Sequence, residues 1–423
     1  MKSLKKIILA IISLVLFTTS SRQTYAIVDP LNAVNNPFGI HILDENDLED
    51  AAKLVNSSGG DWGYVTLVIR KDERNPKRWQ EVFDRMRNLH LIPIVRIATR
   101  QMDDGWEKPN LDEIDGWVAF LSQLNWVIKN RYVVIGNEPN HSKEWGGEID
   151  PVGYAKYLST FSEKLKKSSA DYFMLPAGFD ASAPTGRKTL REDVYLKKML
   201  EENPHIFESI DGWTSHSYPN PDFSGSQDAE GRGSVKTFEW ELKYLKELGV
   251  TKKLPVFITE TGWTHTKEVT EGTNNTTRVG EKLKASYELA WNDERVVAVT
   301  PFILNYQDPP FDIFSWKKKD GNFYDFYYEV QNLPKNMGKP VQVISVDILS
   351  IIFPPLIPEN GYMTGVVVVK NSGQNIWEGN DKIYASNRGM EVVIEPKVLF
   401  SKVEPGQKTP AVIKVRLPKI VQS

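Results

Sequence analysis

The stretch "YVVIGNEPN", residues 132–140, decides the fold. Val133, Val134 and Ile135 are β-branched and apolar, the composition of a buried strand. Gly136, Asn137, Glu138 and Pro139 then turn the chain polar at once. An amide and a carboxylate stand where an apolar strand stops. Gly136 lets the backbone bend there, and Pro139 restricts how the chain leaves.

Seven other runs repeat this plan. They are 38–43 (FGIHIL), 62–70 (WGYVTLVIR), 91–99 (LIPIVRIAT), 173–181 (FMLPAGFDA), 210–219 (IDGWTSHSYP), 254–263 (LPVFITETGW) and 298–307 (AVTPFILNYQ). Amphipathic stretches lie between them. In "FEWELKYLKEL", Phe238, Leu242, Leu245 and Leu248 recur at helical spacing among Glu and Lys. Alternation of this kind predicts βα units and a parallel sheet. Eight strands over roughly 300 residues predict an α/β fold of the (β/α)8 TIM-barrel type. A doubly wound sheet would carry fewer strands and, for a nucleotide binder, a Gly-rich phosphate loop, which the sequence lacks.

From Val341 the texture changes to short β runs separated by Gly, Pro and Asn, such as "VQVISVDIL" and "YMTGVVVVKN". This predicts a small all-β sandwich over 341–423, joined by a linker at 331–340. "KNSGQNIW" and "VEPGQKTPAVIKVRLP" resemble immunoglobulin-like modules appended to exported enzymes. At the other end, "MKSLKK" is basic, "IILAIISLVLF" is apolar and "TTSSRQTYA" is polar. That order predicts a secretory signal peptide over 1–26, with an uncleaved anchor as the alternative. The barrel then spans 27–335. The expected location is secreted or cell-surface, with no integral membrane domain in the mature chain.

The chain has no cysteine, which removes thiol nucleophiles, thiolate metal sites and disulfides. The six histidines form no ligand pair such as His-Glu-x-x-His, so no catalytic metal and no cofactor are expected. A net charge of −3 gives no reason to expect nucleic acid as partner. The chain is rich in aromatics, with 12 Trp; most are expected in the core, though a flat, half-polar ring is also what stacks on sugar faces.

In a TIM barrel the reacting groups sit at the C-terminal ends of the strands. Glu138 ends the fourth run and Glu260 the seventh, on opposite sides of the barrel mouth. Two carboxylates flanking one bond are what glycosidic cleavage requires. One must carry a proton for the leaving oxygen, and the other must be ionised to attack the anomeric carbon.

"GNEP" after the fourth strand and "ITETGW" after the seventh resemble the signatures of the clan A retaining glycoside hydrolases. The resemblance covers the whole barrel. It implies that Glu138 is the acid/base, Glu260 the nucleophile, and Asn137 the group that holds the sugar 2-hydroxyl. His216 and Tyr218 in "HSY" match the family's His-x-Tyr, whose Tyr bonds the nucleophile. Trp316 in "FSW" is the candidate aromatic floor. Arg70 and Arg96 compete to keep the nucleophile ionised, with Arg96 favoured. His41 is a candidate for the floor of the cleft. Trp263 is either core or subsite, and Trp106 and Trp145 either pack or floor distal subsites. "ETGW" leans to the β-1,3-glucanase branch, whereas "NEP" with "HSY" leans to family 5 or family 39. Each residue also has a plainer reading: turn carboxylates, a structural histidine, rim arginines, core tryptophans. A barrel that binds carbohydrate without cleaving it, serving adhesion, is the alternative function.

Overall fold

The computed structural model describes residues 27–265, 275–353, 362–378, 384–387, 390–395 and 402–416. The signal segment 1–26 lies outside the described residues.

Eight strands form the barrel: β1 (Gly39–Ile42), β2 (Gly63–Arg70), β3 (Leu91–Ala98), β4 (Arg131–Ile135), β5 (Tyr172–Pro176), β6 (Trp213–His216), β7 (Val256–Glu260) and β8 (Val296–Val299). All their pairings are parallel. One sheet runs β1-β2-β3-β4-β5 and the other β8-β7-β6. Parallel bridges Phe38↔Val299 and Asp180↔His216 join the two sheets and close the ring. The expected TIM barrel is therefore present. Helices cover its outside: α1 (Leu48–Val55), α2 (Pro76–Asn88), α3 (Ile114–Gln123), α4 (Pro151–Ser168), α5 (Glu192–Glu202), α6 (Thr237–Glu247), α7 (Thr276–Ala285) and α8 (Asp325–Gln331).

Strand residues alternate between the barrel interior and the helices. At the base, Tyr64, Tyr132, Phe173 and Phe257 meet ring to ring, with Tyr132 5.0 Å from both Phe rings. One layer up, the Thr66 and Thr300 hydroxyls bond at 2.8 Å. Above them the lining becomes charged, with His41, Arg96, His216 and Glu260. Apolar closure below and ionisable groups above leave a single reactive end.

Helix α4 fixes the register of that end. Pro151 starts it where a missing N–H costs nothing, and the Asp150 side chain accepts from Gly153 N–H as cap. Its inward Tyr154 donates its hydroxyl to the Ile135 carbonyl at 3.1 Å and accepts from the Ala177 amide at 2.6 Å. One phenol thus ties the end of β4 to the end of β5.

Past Lys339 the chain is antiparallel. Strands β9 (Val346–Ile352), β10 (Tyr362–Asn371), β12 (Tyr384–Asn387), β13 (Met390–Glu395) and β15 (Lys408–Arg416) make one sheet ordered β9-β10-β15-β13-β12. A second sheet pairs β11 (Trp377–Glu378) with β14 (Lys402–Val403). Val367, Val369, Trp377, Val403 and Ala411 pack between them. The all-β expectation agrees with this, and the immunoglobulin-like likeness remains a matter of sequence resemblance. The sheet is held to the loop before β4. Asn125 Nδ2 donates to the Gly373 carbonyl, Gln374 Nε2 to Ile128, and Gln342 Nε2 to Val127, at 2.9, 2.7 and 2.8 Å. That loop is at the base, the pole opposite the charged end. Among the described residues, no helix is long and apolar enough to cross a membrane.

Candidate active site

The turn after β4 shows what its sequence does. Gly136 takes φ +90°, which only glycine adopts without penalty. Glu138 also has positive φ, at +30°, unusual for a side chain of its size. Its backbone is held there by Glu138 N–H donating to the Gly178 carbonyl at 2.9 Å and by His141 N–H donating to the Glu138 carbonyl at 2.8 Å. The chain is bent so that the carboxylate turns into the barrel mouth.

Glu260, the last residue of β7, is buried beneath it. One carboxylate oxygen from each glutamate and one ring nitrogen of His216 lie within 4.8 Å of one another. His216 Nδ1 sits 2.8 Å from Glu138 Oε1 and 3.9 Å from Glu260 Oε2. Tyr218 donates its hydroxyl to Glu260 Oε2 at 3.1 Å. His41 Nε2 lies 3.8 Å from Glu260 Oε1. Gly178 makes room for the His216 ring: a Cβ at that position would overlap it. The cluster holds two carboxylates and a histidine, donors that suit a transition metal. Its short His216–Glu138 separation is that of a hydrogen bond, so a proton fits the arrangement as it stands.

Charge is distributed unevenly. Burial pushes the Glu260 carboxyl up, but His216, His41, Arg96 and the Tyr218 hydroxyl together outweigh it, and the group is held below the usual carboxylate range. Burial drives His41 down to about 3, with Arg96 and His216 adding to the effect against Glu260. His41 is therefore neutral at neutral pH, and its 3.8 Å approach to Glu260 is a contact rather than an ion pair. His216 goes the other way. Burial lowers it, yet Glu260 and the bond to Glu138 raise it above its ordinary value. The Tyr218 phenol is pushed well up by burial, then by Glu260 and Glu138, and stays a donor.

The structure brings together Glu138, Glu260, Asn137, His216, Tyr218, His41 and Arg96. It separates three others. Trp316 is only 3% exposed and packs edge-on against Phe326 at 5.3 Å, so it is core and not a sugar floor. Trp263, also 3% exposed, spends its indole N–H on the Gly225 carbonyl and packs near Trp291. Arg70 pairs with Glu73 at 2.8 Å on the loop after β2, whereas Arg96 is the arginine whose charge acts on Glu260. Trp145 packs against Tyr154 and Tyr157, while Trp106 stays partly exposed beside Asn137.

Two residues escaped the sequence reading. Phe302, just after β8, meets His41 edge-on at 5.3 Å and is the partly exposed ring beside Glu260's neighbours. Its signal was its place at a strand end, which outweighs its not being tryptophan. Glu144 lies in the turn after Asn137 and Glu138; nothing in "HSKEWGG" distinguishes it from a solvated turn carboxylate.

Among solved structures, the chain is similar to a family 39 glycoside hydrolase from the gut symbiont Bacteroides cellulosilyticus WH2. Identity is 14%, TM-score 0.50, and coverage 92% of this chain and 82% of that one. It also matches a family 128 (subgroup II) endo-β-1,3-glucanase from Pseudomonas viridiflava, at 13% identity and TM-score 0.47 over 70% of this chain and 98% of that one. A monomeric β-xylosidase from Caulobacter crescentus CB15 matches at 13% and 0.47, covering 92% and 98%. No family model and no curated protein matches the sequence. Structural neighbours of this kind are clan A glycoside hydrolases, and at such identities the likeness is one of fold.

Proposed function

We propose that this chain is an exported retaining glycoside hydrolase of the clan A type, acting on a β-linked oligo- or polysaccharide. The observation that carries the reading is the approach of Glu138, His216 and Glu260 oxygens and nitrogen to within 4.8 Å. Retaining pairs sit about 5–5.5 Å apart and inverting pairs about 6.5–9.5 Å, because an inverting site must admit a water between carboxylate and sugar. The short separation favours double displacement.

The residues divide the work by their surroundings. Glu260, kept ionised by His216, Arg96 and the Tyr218 hydroxyl, attacks the anomeric carbon through one oxygen. Tyr218 bonds Oε2 and orients the carboxylate. The leaving oxygen takes a proton from Glu138. His216 Nδ1 lies 2.8 Å from Glu138 Oε1 and is its hydrogen-bond partner. A glycosyl ester forms on Glu260. Water then loses a proton to Glu138 and cleaves the ester, restoring both groups. Asn137 and Phe302 supply a polar and an apolar contact to the bound ring.

A panel of aryl glycosides and polysaccharides tests this. The wild type should hydrolyse at least one member with retention, and Glu260→Ala should lose several orders of magnitude in kcat. A 2-fluoroglycoside of the accepted sugar should esterify Glu260, read by peptide mass spectrometry. Full activity in Glu260→Ala rejects the nucleophile. Ligand binding with no turnover by the wild type would turn the reading to a carbohydrate-binding barrel.

A further inference from the structure

The loop that follows β6 carries two successive residues in the left-handed region, Asp222 and Phe223, each at φ +54°. An aspartate tolerates that conformation, because its short side chain bonds locally. A phenylalanine does not, and a glycine would adopt it at no steric cost. The backbone is held there from several sides. Ser224 N–H donates to the Pro221 carbonyl at 3.0 Å, and Gly225 N–H to the Pro219 carbonyl at 2.8 Å. Thr264 N–H donates to the Phe223 carbonyl at 3.4 Å. The Trp263 indole N–H donates to the Gly225 carbonyl at 2.8 Å. Lys282 of α7 donates to the Ser224 and Gly225 carbonyls at 2.8 and 3.0 Å. Strain of this kind persists only where the surroundings impose it.

The strain secures the place of one ring. Phe223 stands edge-on to Tyr218 at 5.0 Å and to Phe314 at 5.1 Å. Tyr218 is the phenol that bonds Glu260. Phe314 in turn meets Phe302 at 5.7 Å. Rings therefore run from Tyr218 through Phe223 and Phe314 to Phe302, an arc that starts at the Glu260 carboxylate. Phe314 is buried, whereas Phe223 is 36% exposed and Phe302 partly so. A turn that served only as a connection would be better made with glycine, and packing on Tyr218 alone gives no reason for an open ring face.

We propose that Phe223 is a specificity-determining residue that lays its ring against the C–H face of a sugar bound above Glu260, and that Trp263 is the positioning residue that fixes it. The proposal rests on the glycosidase reading only for what the ligand is. A pyranose shows C–H groups on its faces and hydroxyls at its rim. A phenyl ring on the face takes the apolar part out of water and leaves the hydroxyls to polar neighbours such as Asn137. Trp263 is too deeply buried to meet the sugar, and it acts through the Gly225 carbonyl.

Calorimetric binding of cellotetraose, laminaritetraose and xylotetraose tests this, in a Glu260→Gln background so that no cleavage intervenes. At least one should bind. Adding Phe223→Ala should weaken that tetraose about three- to tenfold. Phe223→Leu keeps apolar bulk against Tyr218 but has no flat face, and should weaken it nearly as much; Phe223→Tyr should restore it. With Glu260 intact, KM should rise in Phe223→Ala while kcat stays within about twofold. An affinity unchanged in Phe223→Ala, or kept in full by Phe223→Leu, overturns the proposal. So does a fall in kcat at constant affinity, which would mean that the ring serves only Tyr218. Trp263→Phe drops the indole bond and should weaken binding too, yet add nothing in the Phe223→Ala background, because both act through one ring. Additive losses would take Trp263 out of the proposal. Binding that depends on Phe223, with no cleavage by the intact chain, rejects the hydrolase and leaves the ring's role standing; cleavage indifferent to Phe223 does the reverse. If no tetraose binds at millimolar concentration the proposal is overturned, and the aryl-glycoside panel still decides the hydrolase.

Discussion

His41 shows how much of a site is decided by what a side chain lacks. Both ring nitrogens are buried without a hydrogen-bond partner. Burial holds it neutral down to about 3, whereas in the unfolded chain it titrates near 6.5. The unfolded state thus binds a proton that the fold refuses, and stability drains away as pH falls from about 6.5 toward 3. The slope is at most about 1.4 kcal/mol per pH unit. Denaturant midpoints measured at several pH values should show this decline, and His41→Asn should flatten it. An equal decline in the variant would place the acid sensitivity elsewhere. The residue scale is also where sequence reading was weakest. Glu138, Glu260 and Tyr218 could be picked out because each ends a strand, and a barrel strand end has one destination. Trp316 could not be placed, because whether an indole faces sugar or core depends on Phe326, a helix away. Glu144 was silent for a similar reason: its environment exists only after the turn folds back on Arg96.

At the scale of elements, the site depends on where β4 and β5 stop. Tyr154 on α4 holds both ends through one hydroxyl, and Gly178 leaves space for His216. Tyr154→Phe keeps the ring packing and strands the Ile135 carbonyl and the Ala177 amide in a buried place. A cost of about 1–3 kcal/mol is expected. Because those two groups flank the turn that aims Glu138, kcat should fall along with stability. Equilibrium unfolding beside steady-state kinetics checks both, and a stability loss with unchanged kcat would separate the helix from the site. The strands and helices were legible from sequence because period and β-branching are local signals. The closure was not: the bridges Phe38↔Val299 and Asp180↔His216 join residues far apart in the chain, and only the count of eight implied them.

At the scale of the molecule, the C-terminal sheet meets the barrel through Asn125, Gln342 and Gln374, at the pole away from Glu138. The antiparallel texture past Val341 was readable; which pole it occupies was not, since side-chain amides bonding loop carbonyls leave no pattern. A chain ending at Pro340 should lose about 1 kcal/mol for each of these bonds, seen as a lower melting temperature. Its kcat and KM on a small chromogenic glycoside should stay within about twofold, because the described bonds it loses lie at the opposite pole from the mouth. A collapse of KM alone would mean that the sheet reaches the ligand.

Val28, at the start of the described chain, bonds Asn130 in that same loop through its amide, at 3.0 Å. The start of the described chain and the attachment of the C-terminal sheet therefore both lie beside the closed floor. Fastened to a support on that side, the barrel would stand with its opening outward, like a cup on its base, free to meet chains too large to diffuse to it.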